Sequence, residues 1–336
     1  MLAVAARRLA LLAPAFFILV AVRAAEEPPL PLGLPPVLWP PDNPYSLAKA
    51  ELGRLLFFDK RLSADGSVSC ASCHVPQHAF AEPSGVSTGI RGQKGRRNAL
   101  SVLNQAWYAT QFWDGRTTTL EQQAKVPIQG VLEMGNTFEA CVRTLKAIPG
   151  YCKLFEKAFG TDEITIDHVA KSLATFERTL VSGNSPYDRY KAGDRTAMTK
   201  AQLRGMKLFE KVKCDKCHAA PSFTSKEFHN LGVNIDKPNP DLGRYEITKD
   251  PKDWGAFKTP SLREAVFTAP YMHDGSQETL EDVVEFYDKG GTWNKNLDKE
   301  IKPLKLTRDE KSDLVAFLRA LSGEGWQTVK PPASFP

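Results

Sequence analysis

Apolar residues recur along this chain mainly at helical spacing, in short blocks separated by long polar and proline-marked stretches. Leu47, Leu52, Leu55 and Leu56 put an apolar stripe on one face of a helix. That helix starts near Ser46, a residue type whose side chain satisfies exposed amide groups, and contains Glu51. Leu120 to Lys125, Ala140 to Ala147 and Ile166 to Leu180 carry the same period, as do Leu280 to Asp288 and Arg308 to Leu321. Few segments alternate with period two. The pattern predicts a mainly α protein with long ordered loops. Val181 to Pro186 (VSGNSP) breaks the helical period and leads toward a domain boundary.

The N-terminus is patterned differently. Arg7 and Arg8 precede an apolar run from Leu9 to Val22, and Ala24 or Ala25 offers a cleavage edge. This is the layout of a signal peptide over residues 1–25. The run has 14 residues and contains Pro14, against roughly 20 for a spanning helix. An uncleaved anchor is the rival reading. Either way the folded part is expected outside the cytoplasm, in the periplasm. Residues 26–44 are proline-dense and predict an extended lead-in along the domain surface.

A length of 336 residues favours two domains, expected at residues 45–192 and 193–336. Hydrophobic and charged contents of 42% and 25% are those of a globular chain. The formal charge is +5, and the signal segment holds three of the basic residues (Arg7, Arg8, Arg23), which leaves +2. Nothing in that balance points to nucleic acid.

Cysteine placement carries the chemistry. Four of six cysteines lie in Cys70-Ala-Ser-Cys73-His74 and Cys214-Asp-Lys-Cys217-His218. Each motif supplies two thiols for thioether bonds to haem vinyl groups and a histidine as proximal iron ligand. Gly53-Arg-Leu-Leu-Phe57 precedes the first and Gly205-Met-Lys-Leu-Phe209 the second. A redox or zinc dithiol is the alternative for one such motif. Two copies behind the same helix ending favour two covalently bound haem c groups in tandem cytochrome c-like domains. Cys141 and Cys152 could pair in an oxidising compartment, and the sequence leaves this open. A filled second axial position on each iron would favour electron transfer, whereas an open one admits a small ligand.

Further landmarks follow in order: Gln93-Lys-Gly-Arg-Arg-Asn98, Phe112-Trp-Asp-Gly-Arg116, Glu133-Met134 and Pro270-Tyr-Met-His-Asp-Gly275. With the two haem motifs, this set resembles the bacterial di-haem cytochrome c peroxidases and their MauG-type relatives, from about Asn43 to Gly323. The resemblance implies two cytochrome c-like helical domains with a calcium ion between them. Peroxide would react at the N-terminal haem. The C-terminal haem would take electrons from a small cytochrome or copper protein. Trp113 would lie between the haems, although a buried indole is also an ordinary core residue.

By the same resemblance, Gln123 and Glu133 would stand over the peroxidatic haem. Peroxide must lose a proton from the oxygen that meets iron and regain one on the departing oxygen; a carboxylate serves as base and then acid, and an amide orients the substrate. Without the resemblance Glu133 is one acid among many. Where many family members have a blocking histidine this chain has Ile90, followed by Arg91, and His78 is the nearest substitute. The first iron is therefore expected to be open in the oxidised protein. Tyr287 occupies the place of a distal methionine on the second haem, as in MauG-type proteins, with Met272 as the rival ligand. The Asn98 side chain and the Thr268 and Pro270 carbonyls would hold the calcium. Three functions follow: a hydrogen peroxide reductase, a MauG-like oxidase of aromatic side chains on a partner protein, and a plain two-haem carrier. Many such peroxidases are homodimers.

Overall fold

The computed structural model describes residues 27–336. The expected signal peptide lies outside the described residues. Eleven α-helices are present among them: α1 (Leu47–Phe58), α2 (Cys70–Cys73), α3 (Leu120–Gln129), α4 (Phe138–Lys146), α5 (Pro149–Phe159), α6 (Ile166–Thr179), α7 (Pro186–Lys191), α8 (Lys200–Lys211), α9 (Tyr245–Thr248), α10 (Leu280–Asp288) and α11 (Arg308–Arg319). The strands are two short ones, β1 (Phe228–His229) and β2 (Phe257–Lys258), paired antiparallel. The mainly helical expectation holds. No described helix is long and apolar enough to cross a membrane.

The helix starts follow capping chemistry. Ser46 accepts from the Lys49 amide at the head of α1, and Thr119 and Thr279 do the same for α3 and α10. α3 runs four residues past the expected Lys125, through Pro127. α5, with Pro149 at its first turn, was not expected.

Two apolar cores form. The first gathers α1, α5 and α6 around Leu52, Phe57, Phe155 and Leu173; the second gathers α8, α10 and α11 around Phe209, Val284 and Phe317. The chain does not divide between them in strict order, because Trp326 beyond α11 buries itself in the first core. Backbone bonds between Gly183 and Glu324 bring that tail back. The lead-in also lies against this junction, with Leu32 O accepting from the Asn184 amide.

The internal repeat is structural. Gly53 of α1 sits against the Ser172 carbonyl and Phe176 of α6, and Gly205 of α8 sits identically against Asp313 and Phe317 of α11. A Cβ at either glycine would overlap backbone. The closeness brings Phe57 to Phe176 with centroids 5.4 Å apart, and Phe209 to Phe317 at 5.2 Å. The repeat extends to the loops: the turns at Phe112–Gly115 and Met272–Gly275 are both closed by a bridge, Gln111 to Thr117 and Tyr271 to Gln277. Trp113 and His273 therefore occupy equivalent positions in the two halves.

Candidate functional site

Both Cys-x-x-Cys-His segments fold as tight helical turns. In the first, Ser69 and Ser72 cap α2, and the His74 amide donates to Cys70 O at 3.0 Å. His74 Nδ1 faces the Phe80 carbonyl at 3.2 Å, and His218 Nδ1 faces the Phe223 carbonyl at 3.1 Å. A proton on Nδ1 donated to that carbonyl leaves the Nε2 lone pair for a metal. Burial lowers both imidazoles to about 4 despite the carbonyls, which holds them neutral. Burial also raises the Cys73 thiol to about 11 and the Cys214 thiol to about 12. A reactive redox dithiol needs an accessible thiolate. Neutral thiols beside a neutral, oriented imidazole fit thioether attachment of haem with histidine ligation. Cys141 on α4 and Cys152 on α5 are not bridged to each other.

Glu133 belongs to the loop that closes α3. Its amide donates to Gly130 O at 2.9 Å, and its carbonyl accepts from the Ile90 amide at 2.8 Å. Its carboxylate folds back over Gly130, into space that a Cβ there would fill. Burial raises the Glu133 carboxyl above the usual range, and the Arg116 guanidinium only partly offsets this. Gln123 is half-buried on α3, one helix earlier in the same segment. Ile90 is 3% exposed and its Cδ1 packs on Gly135. His78 is exposed on the surface turn after the first motif, which removes it as a distal ligand candidate.

The second site opens into a cavity of about 260 Å³. Cys214, Cys217 and His218 line it, and so do both rivals for the distal position, Tyr287 and Met272. Burial raises the Tyr287 hydroxyl, and the facing Cys214 and Cys217 sulfurs add to this. His229 was not singled out in sequence. It lies 3.6 Å from Cys217 Sγ and 2.7 Å from Asp298, contacts joined only by the β1–β2 pair and the loop after α10.

Trp113 donates its indole N–H to Asn98 O at 2.9 Å, and the Asn98 amide donates to His273 O at 2.7 Å. The Trp113 and His273 rings meet edge-on, 6.4 Å apart. Trp113 is 9% exposed and lines the same cavity. Asn98 Nδ2 donates to the Glu82 and Ser84 carbonyls, which leaves Oδ1 as an acceptor. Thr268 and Pro270 lie on the cavity wall with it. Around them Arg97 bridges Asp114 and Asp241 at 2.5 and 2.6 Å.

Comparison with known proteins agrees with this geometry. Residues 47–196 match the family model described as di-haem cytochrome c peroxidase. The chain is 39% identical to a cytochrome-c peroxidase of Pseudomonas sp. (strain SCT) over 90% of its own length and 88% of that protein. It is 43% identical to the methylamine utilization protein MauG of Methylorubrum extorquens, covering 85% and 81%. The crystal structure of a MauG-like protein associated with microbial copper homeostasis superposes with a TM-score of 0.85 at 36% identity, covering 90% of this chain and 97% of that one. Two cysteine–histidine turns and these relatives lead to one conclusion: the chain belongs to the di-haem cytochrome c peroxidase family, haem-dependent oxidoreductases with two haem groups.

Proposed function

We propose that this protein reduces hydrogen peroxide to water at its N-terminal haem, consuming two protons and two electrons per peroxide. The observation that carries this reading is the buried, raised carboxyl of Glu133 beside Ile90, an acid next to a residue that cannot ligate iron. Cys70 and Cys73, and Cys214 and Cys217, would hold the two haems, with His74 and His218 to ligate iron, and the haems would supply the change in oxidation state. Glu133 would take a proton from one oxygen of bound peroxide and return it to the other, so that water departs. Gln123 orients the substrate through its amide. Trp113 holds an oxidisable ring between the sites. A small cytochrome or copper protein delivers electrons through the C-terminal haem, in the periplasm. Calcium at Asn98 Oδ1 and the Thr268 and Pro270 carbonyls would stiffen the junction, and a homodimer is the oligomer the resemblance implies.

Tyr287 favours a second reading. A phenol at the second iron stabilises higher oxidation states, which suits MauG-like oxidation of aromatic side chains on a partner protein. Peroxide turnover separates the two. The oxidised holoprotein is mixed with peroxide and reduced cytochrome c, without prior reduction. Rapid donor oxidation supports the peroxidase, and a Glu133→Gln variant should then lose about 10²–10⁴-fold in rate with both haems retained. Slow donor oxidation with a persistent oxidised spectrum favours the second reading. Full activity in the variant would remove Glu133 from the mechanism.

A further inference from the structure

One buried cation lacks a carboxylate partner where the two halves of the chain meet. Lys258 stands on β2, opposite Phe228 of β1. Its amide donates to Trp113 O at 2.8 Å, which ties this strand to the tryptophan turn. Its side chain is among the largest fully buried ones, at 1% exposure. Nζ donates to the Thr110 carbonyl at 2.8 Å and lies 4.7 Å from the centre of the Tyr108 ring. Both partners are neutral. A buried ammonium left so costs several kcal/mol, and burial draws this one down to about 7.

The surrounding charges do not supply its counter-ion. Asp114 is the acid whose field reaches Lys258, but Arg97 and Arg116 already hold its carboxylate at 2.5 and 3.0 Å. Asp241 is held by Arg97, and Glu246 by Arg96 and Arg97. Arg244 adds a further cation, spent on the Asp114 and Gly115 carbonyls. Positive charge is in surplus. The Tyr108 hydroxyl is buried near Ser261 and Thr224 without a hydrogen bond, and Lys258 Nζ lies over its ring. Both side chains line the cavity of Cys214, Cys217 and His218.

A haem is apolar apart from its iron and two propionate carboxylates. Thioether bonds would fix its vinyl groups at the cysteines, so its propionates need donors elsewhere on the cavity wall. We propose that Lys258, with the Tyr108 hydroxyl beside it, is the binding site for a propionate of the C-terminal haem. The proposal rests on the reading that Cys214 and Cys217 carry that haem. The pair makes a charge-assisted hydrogen bond in a dry site and removes the unpaired cation and an unpaired propionate together. It also anchors the haem edge to the strand bonded to Trp113, which makes Lys258 a positioning residue for transfer between the sites.

The test uses holoprotein variants. Lys258→Gln keeps a donor for the Thr110 carbonyl but removes the charge, and Lys258→Arg keeps the charge. Intact mass first counts haems in the native chain; fewer than two would fail the attachment reading, separately from this one. Potentiometry and resonance Raman spectra then report on the haems. The unpaired propionate left by Lys258→Gln should stabilise the ferric state. The C-terminal haem potential should fall, its propionate bending band should shift, and Lys258→Arg should restore both. A Gln variant with two haems, unchanged potentials and an unchanged propionate band overturns the proposal. So does an Arg variant that behaves like Gln.

Discussion

Glu177 shows how much one side chain can carry. It lies on α6 at 4% exposure, and its Oε2 has no hydrogen-bond partner. Burial raises its carboxyl from 4.5 to about 8; Arg178 opposes this and Glu121 adds to it. The sign follows from linkage. The folded pKa lies above the unfolded one, so this group's contribution is fully present below about pH 4.5 and is lost as pH rises through about 8. At one pKa unit per 1.36 kcal/mol the loss is on the order of 5 kcal/mol. A Glu177→Gln chain lacks that titration. Relative to the native protein it should gain stability between pH 4.5 and pH 8.5 in urea unfolding. The same difference at both pH values would show that Glu177 does not titrate as a buried acid. None of this is legible in the sequence, where Glu177 is one acid in a helical run. The haem motifs were legible because their ligands are contiguous. Glu133 was legible only through the family resemblance and Lys258 not at all, because Ile90 and Tyr108 build their surroundings from distant parts of the chain.

Helix pairs carry the same argument one level up. The Gly-x-x-Leu-Phe ending was visible as a repeat, but its cause was not. At Gly53 and Gly205 alike, the crossing helix's backbone carbonyl occupies the place of a Cβ. Alanine favours an isolated helix by up to about 1 kcal/mol over glycine. Here overpacking opposes this at about 1–3 kcal/mol or more, since backbone has to move. Gly53→Ala and Gly205→Ala should each lower the thermal midpoint, and by similar amounts, because the two contacts match. A neutral or stabilising result at either site would mean that the crossing is looser than drawn. Elements governed by local rules were read well, as with the Ser46 cap and the span of α10. Those that break local rules were not. α3 runs past Lys125 through Pro127, and α5 starts on Pro149-Gly150, where no helical period was read.

Across the whole molecule, the two halves are joined by charge as much as by apolar contact. Arg97 comes from the loop before the first tryptophan turn and holds Asp114 of that turn and Asp241 of the second half at once. It also lies over the Phe257 ring, which stacks on His273 at 3.7 Å. A shift of Arg97 would therefore reach the Trp113–His273 contact. Burial alone would raise the Asp241 carboxyl, but hydrogen bonds and the charge of Arg97 overcome this and hold it below the usual range. With a folded pKa below the unfolded value, the pair stabilises the protein above about pH 4 and loses this as pH falls through the folded pKa. Arg97→Met leaves the Asp241 carboxylate without its cation and Asp114 with Arg116 alone, at a cost of about 3–5 kcal/mol near neutral pH. The carboxyl of Asp241 then rises, so acid relieves the variant while it weakens the native protein. The gap between them should be widest at pH 7 and should narrow toward pH 4.5 in denaturant unfolding. Equal gaps at the two pH values would assign the loss to packing on Phe257, and the junction would then be held by shape and not by charge.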